Sequence, residues 1–453
     1  MAIAIAFRAV FVGLVMSLLA TAPALAQGEP APAPTSTVHV APLPGVANPA
    51  PAFDALKATN AYLAQVSGEA RAKSDSYFEG GYVLTLVDAL WAIAISALLL
   101  WTRISAAIRN FAQRRTRSRF LQVPIYVVIY FVAITVLTFP LSVYEDFIRE
   151  HSYGLSNQNF IQWFGDFAKE TAVGLIAFAI VASIVYVFIR RTPRYWWAWG
   201  TAVMIVFLMI GAMIAPVFIS PLFNTYTPLK EGPLKTKILS IARSEGIPAT
   251  NVYEFDASKQ TKRISANVSG FMGTTRISLN DNLLNRSRNQ REIIAVLGHE
   301  MGHYVLDHTV RLIVFGGLVF LAGFGFVAWG FRGLTSVFGG IWDVRGVDDP
   351  AGLPVLMALA TFFFLVATPV QNTISRTTEA QADVFGVNAV REPDAFAEAA
   401  LQLSEYRKLD PTPLEEIIFF DHPSGRSRIS MMMRWKAEHL NDPDIKAGPV
   451  SPQ

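Results

Sequence analysis

No cysteine occurs among the 453 residues. Disulfide staples and thiolate metal sites are therefore excluded, and any metal must sit on histidine or carboxylate side chains. Charge is also scarce. Asp, Glu, Lys and Arg make up 16% of the chain, where a soluble domain carries about 25%. The net charge of +3 is small for this length and gives no reason to expect a nucleic-acid partner. What is abundant is apolar: 52% of the residues are hydrophobic. That balance points to surface that faces lipid.

Residues 1–26 read as a secretory signal peptide. Arg8 precedes an apolar run from Ala9 to Ala20, and the string APALAQ offers small residues for cleavage after Ala26. The other reading is an uncleaved first transmembrane helix, because the run is near the lower length limit for crossing about 30 Å of hydrocarbon. Residues 27–52 are rich in Pro and Ala and should form an extended linker without a core. Residues 53–78 have an amphipathic helical pattern, with Leu56, Tyr62, Leu63 and Val66 on one stripe.

Six long apolar segments follow, at about 82–101, 122–143, 171–189, 195–219, 312–331 and 353–370. Each approaches the roughly 20 residues that a spanning helix needs. Aromatic residues flank several of them, notably YWWAW at 195–199, as interfacial anchors do. Residues 53–219 thus read as a membrane domain of four spans. Residues 220–453 read as a second domain, interrupted by two spans at about 312–331 and 353–370. Its polar parts, 220–310 and 371–453, are long enough together for a compact catalytic unit.

The chemistry is concentrated at residues 298–308, GHEMGHYVLDH. His299 and His303 are four apart and project from one helix face, so both imidazoles can reach one ion. With only nitrogen and oxygen donors, one Zn²⁺ per chain is the expected metal. Glu300 lies about 100° round the helix from His299, placed to take a proton from a metal-activated water. A catalytic zinc site needs a third protein ligand. A third histidine six residues after His303 is absent, because Thr309 stands there. The polar stretch SRTTEAQADVFG supplies a candidate in Glu379. Asp383, one turn on, can accept the free N–H of a histidine ligand and fix its ring. On its own this pair would be an ordinary solvated helix face; the missing ligand makes it functional. Residues of this kind at these spacings point to a zinc metallopeptidase.

The segments VLGHEMGHYVLDHT and SRTTEAQADVFG resemble the two metal-binding segments of the type I CAAX prenyl proteases, integral-membrane zinc endopeptidases with many bacterial members. The resemblance runs from about Lys73 to Arg428 and includes His308. ISANVSGFMGTTRISLNDNLL is similar to that family's strand pair before the zinc helix, which implies that Asn267 holds the substrate backbone. DHPSGRSRI is similar to its HP segment, which implies that His422 and Arg428 stand near the reacting carbonyl. The resemblance also implies a proton-donor role for Asp383. The implied fold is mostly α: a polytopic membrane helix bundle with a zincin-like catalytic domain that contains a small β-sheet and the HExxH helix. Two departures stand out. The family has seven spans, one more than the six long segments. Ser424 also occupies a position where the family often has proline.

The expected partners are polypeptide substrates and the lipid bilayer. The leader and linker look bacterial, which places the chain in an inner membrane. The loop after the first span carries Arg103, Arg109, Arg114, Arg115, Arg117 and Arg119 without an acid, and the third loop carries Arg190, Arg191 and Arg194. Positive loops stay in the cytoplasm. The catalytic domain is therefore expected on the periplasmic side, against the cytosolic placement usual in the family. Two other readings remain: a heat-shock-type membrane quality-control metalloprotease, and an inactive scaffold or transporter on the same fold, against which an intact Glu300 speaks.

Overall fold

The structure, a computed structural model, describes residues 53–269 and 275–446. The signal-like segment 1–26 and the linker 27–52 lie outside the described residues.

Helix α1 (Ala55–Ala64) is followed by a break, with Gly68 at φ +60°, and then by α2 (Gly68–Trp101). The amphipathic stripe is thus not one helix. Tyr62 and Leu63 are buried, and the Tyr62 hydroxyl donates to Asp394 Oδ1 at 2.8 Å, whereas Leu56 faces outward. Helix α3 (Ile104–Arg115) is short. It leads to α4 (Arg119–Ser142), α5 (Phe160–Arg191) and α6 (Trp196–Ile214). Near the end of α4, Pro140 lacks an N–H and crowds the preceding turn, and the chain continues as a wide π-turn over Val143–Arg149. Among the described residues, six helical stretches are long and apolar enough to cross a membrane, and they contain the six apolar segments. Their inward faces meet in a core that includes Tyr126, Tyr130, Tyr186, Leu208 and Phe331. Their outward faces are also apolar: Trp329 is 72% exposed and Val136 64%. Such residues require a lipid surround.

The sheet has the order β1 (Tyr226–Pro228), β2 (Val252–Phe255), β4 (Arg276–Asn280), β3 (Ala266–Ser269). β2 and β4 run parallel, and the two outer pairings are antiparallel. Helix α7 (Pro233–Ser244) packs on it through Ile238 and Ile241, and the short α8 (Asp281–Arg286) follows β4.

Helix α9 (Gln290–Val305) lies between two cores. Ile294, Leu297 and Met301 face the sheet residues Ile277 and Leu279. Ala295 faces a second core built from Val387, Phe396, Ile429 and Met433. Those residues come from α11 (Leu353–Val390), α12 (Pro393–Gln402) and α14 (Gly425–Glu438). The short α13 (Pro413–Phe419) precedes α14, and α10 (His308–Trp342) precedes α11. α10 leaves the end of the molecule that holds the sheet and α9, and α11 returns to it. The α10–α11 turn therefore lies at the far end of the bundle, where Arg103 Nε donates to Ile341 O at 2.8 Å and buried Arg109 pairs with Asp343 and Asp349.

Candidate metal centre

Asn289 starts α9 by accepting from the backbone N–H groups of Arg291 and Glu292. Three turns later the helix presents His299, Glu300 and His303. The crossing with α11 is close because small residues meet there. A Cβ on Gly302 would stand 3.1 Å from Ala382 Cα and O, and one on Gly386 would stand 2.8 Å from His299 N. This approach brings Glu379 and Asp383 of α11 against the two histidines.

The Nε2 atoms of His299 and His303 are 3.0 Å apart. Glu379 Oε2 lies 3.2 Å from His299 Nε2, and its Oε1 lies 3.5 Å from His303 Nε2. The Glu379 side chain is 1% exposed, yet neither oxygen has a hydrogen-bond partner. A buried carboxylate without donors is costly unless a cation answers it. His299, His303 and Glu379 are also the group whose ligand atoms all fall within 4.8 Å of one another. Two imidazole nitrogens and a carboxylate oxygen facing one point form a donor set that suits a tetrahedral ion with one open position, so the residues fit a divalent metal.

Each ring is held from behind. His299 Nδ1 is 2.8 Å from Asp383 Oδ1, and Asp383 accepts two hydrogen bonds from Arg428, that from Nε at 2.9 Å. His303 Nδ1 is 3.0 Å from Nδ1 of buried His308, the first residue of α10. A left-handed Asp307 (φ 52°) turns the chain back to place His308 there. Burial opposes charge on His299, but Asp383 and Glu379 raise its imidazole to about 10; burial lowers His303 to about 3. Burial pushes the Glu300 carboxyl up to about 8, near the pH at which a general base has to accept protons.

His422 Nε2 is 3.4 Å from Glu379 Oε1, and its Nδ1 is 2.8 Å from Asp421 Oδ1. Ser424, the unusual residue of the HP segment, caps α14: its Oγ accepts from Ser427 N at 3.2 Å. The cap orients the helix that carries Arg428. The structure thus gathers His299, Glu300, His303, Glu379, Asp383, His422 and Arg428. Asn267 is set apart on edge strand β3, paired with Ser278, and its Oδ1 accepts from Ser269 Oγ at 3.1 Å. The backing role of His308 and the close-approach glycines are additional to the sequence reading. The latter had a signal in the matched spacing of Gly298/Gly302 and Ala382/Gly386.

Residues 228–436 match Peptidase family M48, and residues 55–225 match the CAAX prenyl protease N-terminal family, described as five membrane helices. The metalloprotease YhfN of Bacillus subtilis (strain 168) is 30% identical over 334 residues, covering 73% of this chain and 78% of that one. The CAAX prenyl protease 1 homolog of Arabidopsis thaliana is 32% identical over 297 residues, 63% of this chain and 67% of its own. CAAX prenyl protease 1 of Saccharomyces cerevisiae is 30% identical over 317 residues, 66% of this chain and 69% of its own. The crystal structure of S. mikatae Ste24p superposes with a TM-score of 0.67 at 24% identity, over 83% of this chain and 94% of that one, which shows a shared fold. The chain belongs to Peptidase family M48 and is an integral-membrane metalloendopeptidase.

Proposed function

We propose that this protein hydrolyses peptide bonds of membrane-associated polypeptides with one zinc ion held by His299, His303 and Glu379. The observation that carries the reading is the buried Glu379 carboxylate facing both Nε2 atoms. When bound, the zinc lowers the pKa of a water and polarises the scissile carbonyl. Glu300 takes the proton from that water and delivers it to the leaving amine. Asp383 accepts the His299 Nδ1 proton and keeps Nε2 directed at the ligand point. Arg428 and His422 offer N–H groups to the oxyanion. Asn267, on the sheet edge, pairs with the extended substrate backbone. In this reading residues 220–453 form the catalytic domain, threaded by α10 and α11, and residues 53–219 form the membrane domain.

The names of the relatives bring prenylated C-terminal peptides as a second substrate class. We place the catalytic side outside a bacterial inner membrane. The arginine-rich first and third loops meet at the opposite end, where Arg190 Nη1 donates to Arg119 O at 2.6 Å, and positive loops stay inside. The test is metal content and hydrolysis of quenched peptides, prenylated and plain, by wild type and Glu300→Gln. The variant should keep the zinc and lose about a hundredfold or more in turnover. Near-normal turnover, or a wild type without zinc, would sink the mechanism.

A further inference from the structure

The return helix α11 carries a stripe that runs from lipid into a cavity rimmed by arginines. Val366, Val370, Thr373 and Thr377 recur at helical spacing on one face. Val366 and Val370 are 63% and 57% exposed, as lipid-facing residues are. Beside them lies α13, whose Leu414 and Ile417 are 66% and 50% exposed. The two helices are tied together where Asn372 Nδ2 donates to Ile418 O at 2.7 Å and Arg376 Nη1 donates to Phe420 O at 2.6 Å. Tyr82 stacks on Phe419 at the same level, 3.9 Å between ring centres. The apolar run of α2 begins near residue 82 and that of α11 ends near residue 370. These elements therefore mark one edge of the hydrocarbon.

Immediately beyond this edge is an open cavity of about 480 Å³ between α11 and α14. It lies within the range of roughly 300–1,000 Å³ that ligand sites occupy. Arg376, Thr377, Ser430 and Arg434 line it, together with Arg426 and Glu416. The last two are committed elsewhere. Arg426 pairs with Asp410, and Glu416 accepts from Ser424 N at 2.8 Å and Ser427 Oγ at 3.1 Å. Among the described residues, neither Arg376 nor Arg434 forms an ion pair within 4.0 Å, and the carboxylates that act on Arg376 from farther off are Glu416 and Asp421. Arg376 spends three hydrogen bonds on Phe420 O, Ile417 O and Thr373 Oγ1, which leaves two of the five N–H donors of a guanidinium. Arg376 is six residues past Val370, about 9 Å along a helix. The headgroup layer extends about 5–8 Å beyond the hydrocarbon on each side, so the Arg376 backbone stands at its outer limit.

We propose that this cavity binds the phosphate of a glycerophospholipid between Arg376 and Arg434, with the acyl chains lying along Val366, Val370 and Ile417. Guanidinium groups bind phosphate through charge-assisted hydrogen bonds. Exposed apolar residues directly below the cations select a phosphate that carries chains over a free one. The occupied cavity would clamp α14, the helix of Arg428, to the membrane edge.

The test uses the full-length protein, delipidated in detergent and titrated with phosphatidylglycerol while bound lipid is counted by native mass spectrometry. Wild type should retain one tightly held lipid. Arg434→Ala, an exposed residue whose loss does not disturb the fold, should weaken that lipid about tenfold. Arg376→Gln combined with it should abolish retention. Arg115→Ala, at the other end of the bundle, should change nothing. Unchanged retention in the double variant would overturn the proposal, and so would equal loss in Arg115→Ala. Displacement of the lipid by millimolar inorganic phosphate alone would assign the cavity to free phosphate instead.

Discussion

His299 and His303 aim the same ring nitrogen at the same carboxylate, but the groups behind them differ in kind. His299 rests on Asp383, which is itself held by Arg428, so its support is a charged chain drawn from two other helices. His303 rests on the imidazole of His308, supplied by the next helix through a single left-handed residue. The first support is strong in charge and depends on tertiary packing. The second is neutral and depends on a local turn. A metal ligand's partner sets ring orientation and basicity together, and here the two sides divide those tasks unequally.

The comparison can be broken outright at the group both rings share. Glu379→Ala should leave less than about a tenth of the wild-type zinc after dialysis, measured by atomic emission, since a tetrahedral site is left with two protein ligands. Full retention would show that the third ligand lies elsewhere. Next in size is Asp383→Asn, which keeps the shape and removes the charge opposite Arg428. Zinc affinity, read by chelator competition, should fall about ten- to a hundredfold, and hydrolysis should fall further if Asp383 also moves a proton. His308→Ala should cost about tenfold in zinc affinity, at the low end of such losses, and His308→Asn should recover part of it. If His308→Ala hurts more than Asp383→Asn, the ranking of the two supports is reversed.

Two smaller effects sharpen the picture. A proton and a metal compete for His299, whose imidazole is raised to about 10, while His303, lowered to about 3, is already a neutral imidazole at neutral pH with one ring nitrogen free for the metal. Zinc binding should therefore release one proton, and affinity should fall about tenfold for each pH unit between 8 and 6. A slope near two would mean that His303 titrates as well. Gly302→Ala should force α9 away from the Ala382 backbone and lower stability by about 1–3 kcal/mol in thermal melts, an overpacking cost.

The spans were legible because a bilayer enforces length and apolarity residue by residue, and these are local properties. His299 and His303 were legible because helical spacing converts directly into a shared face, and Glu300 because it is the neighbour of one of them. Glu379 became readable only through the count of missing ligands, since its own surroundings resemble a solvated helix. The sheet entered through resemblance; its strands of three to five residues carry too little periodicity to be seen alone. The turn at Asp307 had no signal, because the residue that adopts the left-handed conformation is not glycine. Gly302 and Gly386 lie 84 positions apart, and the small-residue spacing shared by their neighbourhoods is the one signal that links them.

Helix α11 is continuous from Leu353 to Val390 and carries both lipid-facing valines and the Glu379 carboxylate. From Val370 to Glu379 is nine residues, about 14 Å at the helical rise. With the metal held as proposed, that length of rod would set the distance of the metal from the lipid-facing valines. An extended polypeptide covers about 3.4 Å per residue, so a chain moored in the same bilayer must pay out about four residues before its peptide bond arrives. On that reading the helix would act as a gauge, and bonds lying closer to their anchor than this would fall short of the metal.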